Sequence, residues 1–399
     1  MKNNFNNKVI FYKFFSKKKI LILKINFKKK IMKGLCYIDK EKLEIKTFPL
    51  PKITSPNEVI IEIKYASLCT SDIHIIKDKV PRAKKGIILG HEGVGIIKEI
   101  GSNIKKFKIG DKVSINCISF CGECYFCKNN YINNCNKGGW ELGCRINGTL
   151  SKYVLVPFAE TSLNLIPENF DLKKFLFVGD ALSSGFFGVE MGNLKDNNIA
   201  CVLGCGPVGL CTLICCKMKG IKTIAFDINE KCLEFAKKNN LSNFYINPEK
   251  LKQSENNFLY EQIIDYIKNN NDCSNNNEIN NFCEKLNEQK GFDCCIEVAG
   301  TEKSFEMAWK LTRPNGIVSI VVYEKNLEFK LPLMYGKNLI FKTGGVDAVY
   351  CDSLIKWICE NKINTDLLIT HEFNFEDVIK AFDLFRNKNE FCCKIAIKI

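Results

Sequence analysis

Residues 199–209 read Ile-Ala-Cys-Val-Leu-Gly-Cys-Gly-Pro-Val-Gly, a short apolar run followed by three glycines at fixed spacing. The apolar run 199–203 is typical of a buried strand, and residues 210–219 behind it are typical of an apolar helix. A second strand, residues 223–226, follows within the length of one strand–helix–strand unit. This alternation continues to about residue 347 and predicts a doubly wound parallel sheet of the α/β class.

The glycine turn between the first strand and its helix has the Gly-x-Gly-x-x-Gly spacing of dinucleotide sites. Gly204 permits a tight turn, Gly206 lets a pyrophosphate approach the backbone, and Gly209 lets helix and strand pack closely. Because a strand precedes the motif and a helix follows it, the sequence predicts a nicotinamide dinucleotide site that also includes Pro207 and Val208.

The next strand ends in an acid, Asp227, 18 residues after Gly209. A carboxylate at this place accepts hydrogen bonds from both hydroxyls of the adenosine ribose and repels a 2′-phosphate, which favours NAD over NADP. Lys231, four residues on, is a further candidate for the ribose, and a solvated helix lysine is the alternative interpretation.

Four cysteines lie close together in the first half of the chain, at positions 121, 124, 127 and 135. Four thiolates at this spacing satisfy tetrahedral zinc and leave no coordination position for water or substrate. The sequence therefore predicts a structural zinc bound by Cys121, Cys124, Cys127 and Cys135 in a lobe at 117–140, and places the chemistry elsewhere.

An open zinc site needs three protein ligands and a vacant position. Three segments outside the lobe offer suitable groups: Cys-Thr-Ser-Asp-Ile-His at 69–74, Gly-His-Glu-Gly at 90–93, and Gly-Asp at 179–180. The chain has only three histidines, and two of them fall within these segments. A thiolate, an imidazole and a carboxylate would make bound zinc a net-neutral Lewis acid toward an alcohol or carbonyl oxygen.

These segments, together with Leu-Gly-His-Glu-Gly-Val-Gly at 89–95, Gly-Asp-Lys-Val at 110–113, the cysteine lobe, the glycine turn and Glu-Val-Ala-Gly at 297–300, resemble the zinc-dependent medium-chain alcohol dehydrogenases. The resemblance runs from about residue 33 to the C-terminus. It is closest in motif to microbial NAD-dependent secondary-alcohol dehydrogenases, some of which carry aspartate where other relatives carry cysteine.

The resemblance implies a GroES-like β-rich catalytic domain at 32–180, a Rossmann domain at 181–347 and a return to the catalytic domain at 348–399. It also implies two zinc ions per chain, NAD as cofactor, a small alcohol or carbonyl substrate, and a homodimer or homotetramer. The catalytic zinc would be held by Cys69, His91 and Asp180.

Further roles are implied by the same resemblance. Glu92 would lie behind the metal as a transient ligand, and Asp72 would orient His91, with a buried structural carboxylate as the alternative for each. Ser71 would hydrogen-bond the reacting oxygen, and His74 would end a proton relay unless it is a surface histidine. Four residues complete the implied site: Trp140 as a pocket wall or core residue, and Ser184, Val321 and Tyr323 as cofactor contacts. The last two flank Val322, which replaces the glycine of many relatives.

The charge distribution argues against a nucleic-acid-binding protein. The formal charge is +14, but residues 1–31 hold ten lysines and no acid, which leaves about +4 for the remainder. We interpret residues 1–31 as a disordered or organelle-targeting extension. Adjacent cysteine pairs in apolar surroundings indicate a reducing compartment, and no apolar run is long enough to cross a bilayer, so a cytoplasmic protein without membrane contact is predicted. Residues 269–281, with eight asparagines, are predicted to be an exposed loop insertion.

The leading hypothesis is an NAD-dependent enzyme that interconverts a primary or secondary alcohol with its aldehyde or ketone. A polyol or threonine-type dehydrogenase of the same superfamily is an alternative, and it would need polar groups in the substrate pocket. A non-catalytic NAD-binding relative, or a lobe that binds nucleic acid, is an alternative of another class. The intact set of candidate zinc ligands argues against the former, and the near-neutral body argues against the latter.

Overall fold

The computed structural model describes residues 31–251, 258–270, 276–322, 327–387 and 390–399. Tyr323, one of the predicted cofactor contacts, and residues 1–30 of the predicted extension 1–31 lie outside these described residues. The strands are β1 (Ile31–Asp39), β2 (Lys42–Pro49), β3 (Val59–Ser67), β4 (Glu92–Ile100), β5 (Lys112–Ile115), β6 (Tyr153–Val156), β7 (Leu163–Ile166), β8 (Ile199–Leu203), β9 (Lys222–Phe226), β10 (Phe244–Ile246), β11 (Phe292–Glu297), β12 (Thr312–Ile320), β13 (Ile340–Thr343), β14 (Ile369–Asn374) and β15 (Lys394–Lys398).

Besides two large sheets and the two-stranded sheet β1-β2, the described residues form twelve α-helices. They are α1 (Thr70–Ile76), α2 (Tyr125–Lys128), α3 (Ala159–Ser162), α4 (Ser183–Met191), α5 (Pro207–Met218), α6 (Glu230–Lys238), α7 (Leu259–Asn270), α8 (Asn276–Gln289), α9 (Glu302–Leu311), α10 (Leu331–Met334), α11 (Cys351–Cys359) and α12 (Val378–Asn387). None of the helices in the described ranges is long and apolar enough to span a membrane.

Six strands form an entirely parallel sheet in the order β10-β9-β8-β11-β12-β13. Numbered within the sheet, this is the order 3-2-1-4-5-6 of dinucleotide-binding folds. Strand β8 is buried along its whole length, as the apolar run predicts. The order reverses between β8 and β11, so a crevice opens at the carboxyl ends of these two strands, where the glycine turn lies. The predicted doubly wound fold is confirmed.

The other large sheet has seven strands in the order β14-β15-β3-β4-β5-β7, with β6 paired to β3. It is mostly antiparallel, and it draws its strands from both ends of the chain: β15 pairs with β3, which is more than 300 positions earlier in sequence. The lobe with the four cysteines follows β5. This β-rich sheet carries the first two candidate zinc-binding segments on α1 and at the start of β4.

The side chains described within 269–281 are exposed as predicted, apart from the half-buried Ile279. The prediction of a loop is wrong for the part that the structure describes. Helix α7 continues to Asn270 and α8 begins at Asn276, so residues 271–275 alone fall outside the described residues. Asparagine is a weak helix former, but α8 places Phe282, Cys283 and Leu286 in a buried cluster beneath the parallel sheet. Tertiary burial on one face of the helix overrides the composition.

Candidate active site and metal centres

Three side chains from distant parts of the sequence meet at one point between the two sheets. Cys69, His91 and Asp180 offer ligand atoms that all lie within 4.8 Å of one another. The Asp180 Oδ2 lies 3.4 Å from the Cys69 Sγ and 3.4 Å from the His91 Nε2. Such separations match the edges of a tetrahedron with metal–ligand bonds of about 2.0–2.3 Å. The donor set and its geometry therefore fit zinc with one position left open.

Local backbone structure directs each of these ligands toward the same point. Cys69 is the N-cap of α1, and its N–H donates to the Oδ2 of Asp72 at 3.0 Å. His91 immediately precedes β4, and the N–H of Gly90 donates to the Oδ1 of Asp72 at 3.3 Å. Asp72 thus fixes the backbone of two ligand segments at once, besides lying 3.5 Å from the His91 Nδ1.

Asp180 lies in a π-helical turn, Val178–Leu182, directly before α4. Such turns insert one residue into a helix and redirect a side chain, and they concentrate at functional sites. The turn is held from the β-rich sheet, because the N–H of Cys117 donates to the carbonyl of Gly179 at 2.9 Å. The third candidate ligand is therefore positioned by both sheets.

The electrostatics of the three ligands are those of a cation site. Burial and the charge of Asp180 raise the pKa of the Cys69 thiol. Burial would lower the pKa of His91, but the negative charge of Asp72 and a hydrogen bond with Asp180 raise it well above its usual value. Since thiolate and neutral imidazole are the ligating forms, a metal bound here must displace protons.

Behind this cluster lies a buried ion pair that the sequence analysis missed. The Nζ of Lys394, on β15, forms a short hydrogen bond with the Oε2 of Glu92 and donates to the carbonyl of Leu68 at 3.2 Å. Both charged side chains are almost fully buried. The Glu92 carboxylate is engaged by this lysine and by the N–H of Ala181 at 3.4 Å, rather than grouped with the three ligand atoms. The one sequence feature that indicates this pair is Lys394 itself, within the otherwise apolar stretch 393–397.

The four lobe cysteines also come together. Their Sγ atoms lie 3.5 Å apart for Cys124 and Cys127, 3.5 Å for Cys121 and Cys135, and 4.0 Å for Cys121 and Cys127. Four thiolates around zinc at about 2.3 Å are separated by a little under 4 Å, so the set fits this metal. The N–H groups of Cys121 and Lys137 donate to the Cys135 sulfur, which fixes its position in the cluster.

The glycine turn has a separate geometric reason for each glycine. Gly204 has φ +108°, in the left-handed region. A Cβ on Gly209 would lie 1.9 Å from the carbonyl oxygen of Gly204, whereas a Cβ on Gly206 would meet nothing within 4 Å. The open space above Gly206 is where the sequence analysis predicts the pyrophosphate. Pro207 opens α5, and Val208 follows it in the first turn.

A cavity of about 460 Å³ begins at this turn. It is lined by residues at the carboxyl ends of β8, β9 and β11, among them Leu203, Gly204, Phe226, Asp227 and Ala299. The Asp227 carboxylate is held at the rim by the N–H of Cys205 at 2.6 Å and that of Asn229 at 2.8 Å. The cavity is mostly apolar, with one fixed carboxylate, and this suits an adenosine whose ribose faces Asp227.

The remaining predicted residues lie on elements around the two sites. Ser71 belongs to the metal cluster, because its Oγ lies 3.6 Å from the Cys69 Sγ. His74 lies one turn further along α1, and Lys231 lies exposed in the first turn of α6. Ser184 is the second residue of α4, and the N–H of Val321, just after β12, donates to the carbonyl of Glu297 at the end of β11. The structure brings Ser71 to the metal ligands and leaves Lys231 at the surface.

Glu297, at the end of β11, is a second buried acid that no prediction singled out. Its Oε1 accepts hydrogen bonds from the N–H groups of Ala299 and Gly300, both at 2.9 Å, and from the Ser304 hydroxyl at 2.6 Å. Its Oε2 has no partner among the described residues. Burial raises the pKa of Glu297 to about 7, although these three hydrogen bonds lower it. The carboxyl acts on the cavity through Ala299, whose N–H donates to it and which lines the cavity wall together with Gly204.

Comparison with known families agrees with this architecture. Residues 55–168 match the family described as "Alcohol dehydrogenase GroES-like domain", and residues 207–346 match "Zinc-binding dehydrogenase". The chain belongs to the zinc-dependent medium-chain dehydrogenases. Membership of this oxidoreductase family implies zinc and a nicotinamide cofactor.

Similar proteins span nearly the whole chain. An alcohol dehydrogenase of Cupriavidus necator is 29% identical over 392 residues, covering 92% of this chain and 99% of its own. The solved structure of zinc-dependent alcohol dehydrogenase 2 from Streptococcus pneumonia superposes with a TM-score of 0.79 at 29% identity, covering 92% of this chain and 98% of that one. An NADP-dependent isopropanol dehydrogenase of Clostridium beijerinckii is 25% identical over 351 residues, 85% of this chain and 92% of its own.

Proposed function

We propose that this chain is an NAD-dependent alcohol dehydrogenase that oxidises a primary or secondary alcohol to its aldehyde or ketone with one catalytic zinc. The observation that carries the proposal is the convergence of Cys69, His91 and Asp180 on one point, with the hydroxyl of Ser71 at its edge. Three ligands of this kind leave zinc an open position, where a substrate oxygen can bind.

Zinc at this site supplies Lewis acidity that makes an alcohol hydroxyl easier to deprotonate, and the nicotinamide accepts the hydride from the adjacent carbon. Cys69, His91 and Asp180 would hold the metal. Ser71 would hydrogen-bond the reacting oxygen, and His74, one turn along the same helix, would form the outer end of the proton relay.

The preference for NAD rests on Asp227. Its two carboxylate oxygens are fixed by backbone N–H groups at the rim of the cavity, so the negative charge cannot swing away from a 2′-phosphate. Cofactor choice varies within the family, since the isopropanol dehydrogenase relative is named for NADP. We therefore expect kcat/KM to be larger with NAD than with NADP, and Asp227→Ser to narrow the ratio.

A steady-state assay with purified, zinc-loaded protein tests the proposal. A panel of short-chain, branched and benzylic alcohols is offered with NAD⁺, and the reduced cofactor is followed by absorbance. His91→Ala should abolish turnover and remove one of two zinc ions per chain, while the zinc of the cysteine lobe remains. Undiminished turnover by His91→Ala would show that the metal assignment is wrong, and a silent wild-type protein across the panel would refute the function.

A further inference from the structure

Trp140 links the candidate metal site to a positively charged surface. Its indole packs edge-on against the His91 ring, with ring centroids 5.3 Å apart. The guanidinium carbon of Arg82 lies 5.4 Å from the centroid of the same indole. Arg82 is therefore separated from a metal-ligating imidazole by the width of one side chain. Arg82 is exposed, so a molecule that enters from solvent can reach it.

A second arginine, Arg145, lies near the same place, because it forms an ion pair with Glu141, the residue next to Trp140. Burial raises the pKa of the nearby Cys144 thiol, and the charges of Arg82 and Arg145 oppose that shift. Arginine is rare in this chain, with four among 58 lysines and arginines, and two of the four lie at this place. Lysine would serve as a generic surface charge, whereas arginine offers a planar fork of donors.

Around Arg82 and Trp140, basic side chains outnumber acidic ones. Glu141 is the acid beside the two arginines, and its carboxylate already forms an ion pair with Arg145. In the described ranges, no acid forms an ion pair with Arg82. The backbone N–H of Lys84 donates to the carbonyl of Cys144 at 2.8 Å, which brings a further lysine to the same rim. The Nε1 of Trp140 is buried and has no hydrogen-bond acceptor among the described residues.

From this arrangement we propose that the substrate alcohol carries an oxyanion, a carboxylate or a phosphate ester, and that Arg82 binds it while the hydroxyl reaches the metal site. This inference rests on the proposed function. A guanidinium binds such groups through paired N–H···O bonds. An uncharged alcohol would leave this surplus charge without a partner, so the structure assigns a discriminating role to Arg82 rather than a catalytic one.

Matched pairs of alcohols test the proposal. The first pair is 4-hydroxybutyrate and 1-butanol, and the second is glycerol 3-phosphate and glycerol. We expect wild-type kcat/KM to favour the anionic member of at least one pair by roughly tenfold, the effect of one good charge-assisted contact. A preference in the first pair alone identifies a carboxylate, one in the second alone identifies a phosphate ester, and one in both identifies the shared oxyanion.

Arg82→Gln should reduce that preference by most of its value, and the loss should fall on KM rather than on kcat. Arg386→Gln removes the same charge from α12, where Arg386 pairs with Glu41, and should keep the preference. A wild-type enzyme that favours the uncharged member of both pairs overturns the proposal. Equal loss of preference in both arginine variants, or none in Arg82→Gln, overturns it as well.

Calorimetric titration of the zinc-loaded protein with butyrate and with inorganic phosphate separates this proposal from the proposed function. If no alcohol is oxidised, the proposed function fails, but the anion site is still tested. Tighter binding of either anion to wild type than to Arg82→Gln supports the site. Equal binding to the two proteins refutes it.

Discussion

Replacing Lys394 by methionine should lower the unfolding free energy of the catalytic domain more than the removal of any exposed charge. The side chains of Lys394 and Glu92 are 1% and 0% exposed, and methionine fills the volume of the lysine stem without its charge. What remains is a buried carboxylate whose only other hydrogen bond in the described structure is a long one from the N–H of Ala181. Removing one partner of such a pair costs about 3–5 kcal/mol of unfolding free energy. The corresponding loss of Tm is on the order of 10 °C for a domain of this size.

The cost should also depend on pH. Burial already raises the pKa of Glu92, against the charge of Lys394, and loss of the lysine raises it further. Since the neutral acid is less costly to bury, the destabilisation should be smaller at about pH 5 than at about pH 8. The readout is thermal unfolding of the zinc-loaded protein at both pH values, followed by circular dichroism.

Two further variants make this prediction decisive. Lys98→Met breaks a pair with Glu62 at 2.8 Å on the exposed side of the same sheet, and should cost no more than about 1 kcal/mol. Combining Lys394→Met with Glu92→Gln removes the stranded charge and should recover most of the loss. If Lys394→Met unfolds at the same temperature as Lys98→Met, or if the double variant is no better than the single one, the buried pair does not act as described.

Three other predictions concern the cofactor site and the lobe. Gly209→Ala should lower Tm, because its Cβ would lie 1.9 Å from the carbonyl oxygen of Gly204. Gly206→Ala should leave Tm unchanged and should weaken dinucleotide binding, measured by fluorescence titration. Equal effects of the two variants would contradict the geometry. Glu297 binds a proton more tightly when folded, so wild-type stability should fall as pH rises from about 4.5 to 7. Glu297→Gln should lack this fall, which is on the order of 3 kcal/mol in urea titrations, and a parallel profile would refute it. Cys124→Ser should release one zinc, measured by elemental analysis, and lower Tm; retention of both ions would exclude the four-thiolate site.

Much of the fold and of the candidate metal ligands could be predicted because the signals are local. The apolar run before Gly204, the spacing of the lobe cysteines and the pairing of rare histidines with acids are all visible within a few residues of sequence. Strands β8 and β9 appear within one residue of their predicted bounds for the same reason. The physics that decides these features acts over one turn or one strand.

What could not be predicted depends on partners far away in the sequence. The sequence around Lys394 is typical of many strands, and nothing local indicates that the lysine is buried. Its burial depends on the ion pair with Glu92, about 300 positions earlier. Arg82 gains a role only when folding places it against Trp140, whose indole packs on His91. The prediction of a loop for the asparagine-rich stretch was wrong because composition indicates only the local conformational preference of a segment. Helix α8 is stabilised by the burial of one of its faces.

The position of β15 has a consequence for how the protein is made. Because β15 lies between β14 and β3, the catalytic sheet lacks an interior strand until residues 394–398 have left the ribosome. By then every strand of the parallel sheet has already emerged, and chains are synthesised at about 5–20 residues per second. The nucleotide domain can therefore fold on the nascent chain before the catalytic sheet is complete. The segment that carries Cys69 and His91 reaches its final structure only when β15 pairs with β3. The same short strand carries Lys394, which lies behind the candidate metal ligands, so activity would appear only after synthesis of the last residues.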